Sequence, residues 1–406
     1  MKKNPERKLG LYIHNPFCKS KCLYCDFYSL PHSEELMDRY TAALCAHLEE
    51  NAPHAALHAV DTVYFGGGTP SYLGVKRLTA LLKQIKKLYH VEKDAEITLE
   101  ANPESLCDAQ TVRALRRAGF NRVSLGVQSA SNAELYAVGR IHTFQQVEQA
   151  VDAVRKGGIK NLSLDLIYGL PGQTMESWQE TLQKAAALAP EHLSCYGLKI
   201  EEGTPLHTMQ DTLILADDDL QADMYLYACD YLNNRGFEHY EISNFAKPGY
   251  ASRHNMKYWL LEEYACFGPG AHSDLGEVRY SYVRDLEAYC VCVESGAGEL
   301  VDYQEQIPPR ERDTEYIMLG LRTAQGIDKR TFELRFRLPF APIEAVLERF
   351  RQSGHTMQEE CRWRLTPEGF LLSNSIILAA LDALGQEKIR REQAAYQKDF
   401  RIKAGE

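Results

Sequence analysis

The 406-residue chain lacks any run of about 18 uncharged apolar residues, so no integral membrane span is expected. It lacks a surplus of positive charge as well. Its 46 Lys and Arg stand against 56 Asp and Glu, a formal charge of −10. Nucleic-acid binders work by neutralising phosphates, so this balance argues against one. The start, Met1-Lys2-Lys3-Asn4-Pro5-Glu6-Arg7-Lys8, is charged, but no apolar stretch follows before Pro16 and no secretory leader is expected. Internal repeats and low-complexity tracts are missing. What is present is 45% hydrophobic and 25% charged residues, an ordinary globular mix. The length suggests two or three domains. Cysteine is plentiful, at eleven. A disulfide framework suits short secreted chains. Thiols free for metal or redox use in a reducing compartment, the cytoplasm, are the expectation here.

From residue 10 to about 200, short β-branched or aromatic runs alternate with helical patterns. The runs are Leu11–His14, Thr62–Phe65, Glu96–Glu100, Arg122–Val127, Asn161–Tyr168 and His192–Lys199. Helical patterns lie near 33–51, 76–90, 108–118, 143–157 and 175–188. Six strands alternating with helices predict an α/β fold with a parallel sheet, open or curved into part of a barrel. Chemistry gathers at the C-terminal ends of such strands. The unusual residues cluster there: Cys18, Gly66–Thr69, Glu100-Ala101-Asn102-Pro103, Gln128 and Gly169–Gly172. A helix is expected over 217–235, then a connecting region at 236–306. Ile307-Pro308-Pro309 marks a boundary, and helix, helix, strand pair, helix over 307–385 suits a small α+β, winged-helix-like domain. The charged tail 386–406 is expected to fray.

Cys18-Lys19-Ser20-Lys21-Cys22-Leu23-Tyr24-Cys25 has the spacing C-x3-C-x2-C, directly after the first strand. Soft thiolates select zinc or iron–sulfur clusters. With His14 added, the set could be a Cys3His zinc site. Three thiolates alone would leave one iron of a cubane without a protein ligand, open to substrate. Gly66-Gly67-Gly68-Thr69-Pro70 follows the second strand, where glycines permit close approach of a ligand. Glu100, ending the third strand, can accept from an ammonium or a ribose hydroxyl. Arg140 suits carboxylate capture. Asp165, inside the apolar run Leu162-Ser163-Leu164-Asp165-Leu166-Ile167, needs a partner, either a ligand or a structural Arg.

The segment Ile13-His14-Asn15-Pro16-Phe17-Cys18 through Cys25-Asp26-Phe27 resembles the radical S-adenosylmethionine (SAM) superfamily. The resemblance implies a partial (β/α)6 barrel in which Cys18, Cys22 and Cys25 hold a [4Fe-4S] cluster. It further implies that the amine and carboxylate of SAM chelate the open iron. The positions of Tyr12, Gly67, Gly68, Thr69, Glu100, Gln128, Arg140 and Asp165, with Tyr24 in the cysteine loop, resemble the SAM contacts of the oxygen-independent coproporphyrinogen III oxidase family.

Two details point from the oxidase to its sister family, the haem chaperones. The oxidase pattern has a fourth cysteine two residues after the third, where this chain has Phe27. Arg253-His254-Asn255-Met256-Lys257-Tyr258-Trp259 matches the chaperones' H-N-x-x-Y-W motif. Imidazole and phenolate both ligate haem iron. His254 and Tyr258, four apart, would share a helix face, and Trp259 offers a porphyrin a flat surface. These three are the haem candidates, with His272 and Cys266 as weaker ones. Most of the eight other cysteines are expected to be buried small apolar residues. Two functions stay open: a haem carrier serving acceptor haemoproteins, one of them conceivably membrane-associated, or an oxidase of two propionates fed by an electron donor.

Overall fold

The structure is a computed structural model that describes residues 7–31 and 33–404. Two compact units emerge. The first takes in Met1–His239, Ser243–Lys257 and Glu262–Gln306. The second takes in Tyr240–Ile242, Tyr258–Leu261 and Ile307–Glu406.

The first unit is built on six parallel strands: β1 (Arg7–Asn15), β2 (His58–Gly67), β3 (Val91–Ala101), β4 (Arg122–Gln128), β5 (Asn161–Tyr168) and β6 (His192–Gly197). They lie side by side in sequence order. Helices Glu34–Asn51, Gly74–Leu88, Ala109–Ala118, Phe144–Gly157 and Met175–Ala187 alternate with them. Side-chain caps set several helix starts. Ser33 accepts from the Leu36 amide, and Thr143 and Gln146 form a capping box. β1 and β6 do not pair with each other. The barrel is therefore open, the partial (β/α)6 form, and its core is the continuous apolar packing of Leu9, Leu11, Ile13, Val63, Phe65, Leu99, Leu125 and Leu164.

The residues after 236 add strands that periodicity did not reveal. Tyr264–Phe267 pairs parallel with β1. His272–Leu275, Val278–Tyr282 and Val301–Gln306 continue antiparallel beyond it. Asn244–Ala246 pairs antiparallel with β6, and Glu238–Glu241 completes a twelve-stranded sheet. These strands have four to six residues and mixed polarity, except for the three-residue Asn244–Ala246, too short for alternation to stand out.

In the second unit Ile327–Asp328, Arg362–Leu365 and Thr356–Glu359 form a three-stranded antiparallel sheet. Helices Asp313–Gly320, Lys329–Phe336 and Ala341–Gln352 accompany it, around a core of Ile317, Phe332, Phe340, Leu347 and Trp363. This is a small α+β, winged-helix-like arrangement. The tail departs from expectation. Helix Ser373–Ala404 continues through it, and Gly405 and Glu406 lie outside the described residues. Lys388 pairs with Asp313 and Arg391 donates to the Arg337 carbonyl, contacts that tie it to the unit's other helices, while Arg390–Glu387 is an i,i+3 pair along its own surface. Charge here is helix support, not a sign of fraying.

Candidate functional site

A cavity of about 420 Å³ opens at the C-terminal ends of β2 to β6. That volume suits a nucleoside-sized ligand. Cys18, Cys22 and Cys25 line it, as do Tyr24, Gly67, Gly68, Thr69, Glu100, Gln128, Arg140 and Asp165. Eleven of the twelve residues assigned from sequence to cluster and SAM therefore share one space. Tyr12 is the exception. Its ring lies behind Gly66, where an added Cβ would come within 2.9 Å of it, and its hydroxyl meets His14 Nδ1 at 3.2 Å.

The three thiols are free and partly buried. Burial pushes the Cys18 and Cys25 thiols above their ordinary range. Cys18 Sγ lies 3.4 Å from Thr69 Oγ1, and Arg140 Nη1 donates to Cys22 Sγ at 3.3 Å. Among the described residues, no three His, Cys, Asp or Glu side chains converge on a single metal ion. Tetrahedral zinc gathers its ligands on one ion, whereas a cubane takes one thiolate on each of three irons. His14 Nδ1 lies 3.2 Å from the Tyr12 hydroxyl, and burial lowers its pKa to about 4, which keeps the imidazole neutral. It is not among the residues that line the cavity with the thiols. Three thiolates without this imidazole are the donor set that leaves one iron of a cubane open.

The glycine loop packs closely on its own chain. Gly67 has φ +106°, and a Cβ there would lie 2.8 Å from the Asn15 carbonyl oxygen. A Cβ on Gly68 would lie 2.6 Å from that of Phe17. The glycines let the loop press against the segment carrying Cys18 while it lines the cavity. Their amides are engaged too: Gly68 N–H donates to Asn15 O at 2.7 Å, Thr69 N–H to Phe17 O at 2.8 Å, and Gly67 N–H to Glu100 Oε2 at 3.2 Å. With those amides engaged, the loop's remaining backbone polar groups are carbonyl oxygens, which are hydrogen-bond acceptors.

Glu100 also accepts from Tyr64 Oη at 2.7 Å. Desolvation pushes its pKa up to about 7. The partner foreseen for Asp165 is not a single Arg. Ser124, Ser163 and Ser194 donate to it at 2.9, 3.2 and 2.7 Å, with Arg122 adding a nearby positive field. Desolvation outweighs these bonds and raises its pKa. Arg140 is no surface charge. Its Nη2 donates to Asn102 Oδ1 at 2.8 Å and to Gly126 O at 2.7 Å, so it ties the cysteine loop to β4. Gln128 reaches the cavity from a left-handed backbone, φ 66°, beside a register shift between β4 and β5. Tyr64, Arg122, Ser124, Ser194 and Asn102 were missed from sequence. Tyr64 and Ser194 sit inside strands and read as packing residues, but Asn102, in the Glu100–Pro103 strand end, carried a signal.

The H-N-x-x-Y-W motif forms helix Arg253–Trp259. His254 is 1% exposed, its Nδ1 2.8 Å from Thr62 Oγ1, its ring stacked on Tyr64 at 5.1 Å and Tyr12 at 6.2 Å. In this arrangement the imidazole is enclosed by Thr62, Tyr64 and Tyr12. Tyr258 and Trp259 are half-buried. Cys266 is 3% exposed, with a thiol pKa driven up by burial, and is no iron donor in this arrangement. His272 is exposed. Of the eight cysteines outside the triplet only Cys195, Cys229, Cys266 and Cys290 are buried.

The open barrel and its thiol-lined cavity define a radical SAM protein, and residues 12–185 match the Radical SAM superfamily. Residues 307–372 match the HemN C-terminal domain. The crystal structure of coproporphyrinogen III oxidase from Escherichia coli superposes with a TM-score of 0.80 at 24% identity, covering 93% of this chain and 91% of that one. The heme chaperone HemW of Lactococcus lactis is 36% identical over 90% of this chain and 95% of its own. That of Bacillus subtilis is 33% identical over 92% and 99%. The chain belongs to the heme chaperone HemW family.

Proposed function

We propose that this protein is a haem chaperone that binds haem and passes it to acceptor haemoproteins, with a [4Fe-4S] cluster on Cys18, Cys22 and Cys25 and SAM in the adjoining cavity. The observation that carries the reading is the likeness, over 90% of the chain, to a relative named as a heme chaperone. Phe27 supports it. The residue is 60% exposed beside the thiols, where the oxidase pattern places a fourth cysteine.

When bound, the cluster supplies an electron and an open iron for the amine and carboxylate of SAM. Around it the chain's own groups divide the work. Glu100 and the glycine-loop carbonyls accept from the ammonium or the ribose. Gln128 and Asp165 line the far wall. Arg140 holds Cys22 in place. Tyr258 and Trp259 remain the haem candidates of the motif. Function in the cytoplasm, and a supply of electrons from a donor, belong to the same reading.

The test is an anaerobic iron and sulfide count followed by haem titration, with coproporphyrinogen conversion assayed in parallel. A stoichiometric haem band without product is expected. Turnover without a specific haem band would replace the carrier by the oxidase.

A further inference from the structure

The motif that sequence linked to haem points the other way in space. Asn255 lines the thiol-bearing cavity. Its carboxamide carries both a donor and an acceptor. His254, one residue earlier, lies behind the cavity wall, stacked at 26° on the Tyr64 ring whose hydroxyl donates to Glu100. The helix is fastened where it can exert this control. The amides of Arg253 and His254 donate to the Glu96 carboxylate on β3 at 3.2 Å each. Lys257, 1% exposed, pairs with Asp61 on β2 at 2.8 Å. A Cβ on Gly10 of β1 would lie 2.8 Å from Lys257 and 3.2 Å from His254. The motif's helix is thus fastened to β1, β2 and β3 through Gly10, Asp61 and Glu96.

We infer that the His254-Asn255 pair serves the SAM end of the barrel: Asn255 is a binding residue for SAM, and His254 is a positioning residue that holds Tyr64 and, through it, Glu100. The inference rests on the reading that this cavity takes SAM. It divides the motif by chemistry. The first two residues answer to a charged nucleoside, which leaves the Tyr258-Trp259 end for a flat apolar ligand.

Anaerobically reconstituted wild type and the variants Asn255→Ala, His254→Ala, Thr62→Val and Tyr64→Phe are titrated with SAM. Binding is followed by equilibrium dialysis and by the change SAM makes in the electron paramagnetic resonance of the reduced cluster. Iron and sulfide are expected to stay at wild-type level in all four. Asn255→Ala and His254→Ala are expected to weaken SAM about tenfold, the scale of one lost hydrogen bond to a charged group or its support. Thr62→Val, nearly isosteric, is expected to weaken it about threefold by releasing the imidazole. In the Tyr64→Phe background the His254→Ala effect should largely vanish, because both act on one carboxylate. The inference is overturned if Asn255→Ala, or both Thr62→Val and His254→Ala, bind SAM as wild type does. It is also overturned if the His254→Ala effect is undiminished with Phe at 64, or if His254→Ala loses haem while keeping SAM. Wild type that binds no SAM overturns the underlying reading and the inference together, which separates that failure from the others.

Discussion

The two ends of the parallel strands hold cavities of opposite character. At the N-terminal ends, a space of about 1230 Å³ is lined by Arg7, His47, His58, Tyr280, Tyr282 and Leu57, among others. At the C-terminal ends the space is about a third of that, 420 Å³. Yet it gathers three thiols, the carboxylates of Glu100 and Asp165, and the guanidiniums of Arg122 and Arg140. In the larger cavity the buried imidazoles are tied to neighbours: His58 to Glu263 at 3.1 Å and His47 to Tyr289 at 2.7 Å. Convergence of groups that burial alone would penalise marks a site better than volume does.

The comparison breaks most visibly at the thiols. Replacing Cys18, Cys22 or Cys25 by Ala should abolish reconstituted iron and sulfide, while His58→Ala at the other end should leave the iron count unchanged. Iron retained by all three thiol variants would remove the basis for the site. Next in size, Glu100→Gln should weaken SAM tenfold or more, since a charge-assisted hydrogen bond contributes about 1.5–3 kcal/mol. Isothermal titration of the reconstituted variant measures it.

The same carboxyl sets a pH dependence. Its pKa is raised to about 7 from 4.5. Below that value it is protonated and no longer attracts an ammonium, so SAM affinity should fall as pH drops from 8 to 6. Glu100→Gln should flatten the profile. Stability of the ligand-free protein runs oppositely. Between 4.5 and about 7 the folded carboxyl holds a proton that the unfolded one has lost. Its contribution is present below 4.5 and is lost as pH rises through about 7. Thermal melts of wild type and Glu100→Gln across this window should converge at the acid end.

The smallest effect is expected at Leu57, 82% exposed in the N-terminal cavity. Leu57→Ser should change stability by less than about 0.5 kcal/mol and leave SAM binding unaltered. A tenfold loss of SAM affinity there would mean that the two ends communicate.

Legibility differed by element. β5 was readable to the residue at Asn161–Tyr168, because its leucines alternate with polar residues at the period of a strand and Gly158 and Gly169 bracket it. The strands after 236 were not, because three to six residues are too few for alternation to stand out. The cysteines were legible because spacing alone brings them into one loop. Arg122 and Tyr64 were not. Each looks like a strand residue, and only the curvature of the sheet turns it toward the cavity. The surroundings of His254 were not legible, because a local spacing says which residues share a helix, not which way the helix faces.

The sequence by itself determined the alternation of strands and helices, the thiol loop and the placement of polar residues at strand ends, all of which depend on separations of a few residues. Tertiary structure decided that three serines, not one Arg, surround Asp165. It also decided that Gly67 and Gly68 press against the chain at Asn15 and Phe17, and that His254 lies against Tyr64. Those outcomes depend on packing between strands tens to hundreds of residues apart, where the closeness of two side chains is set by sheet register and curvature and leaves no mark in local composition.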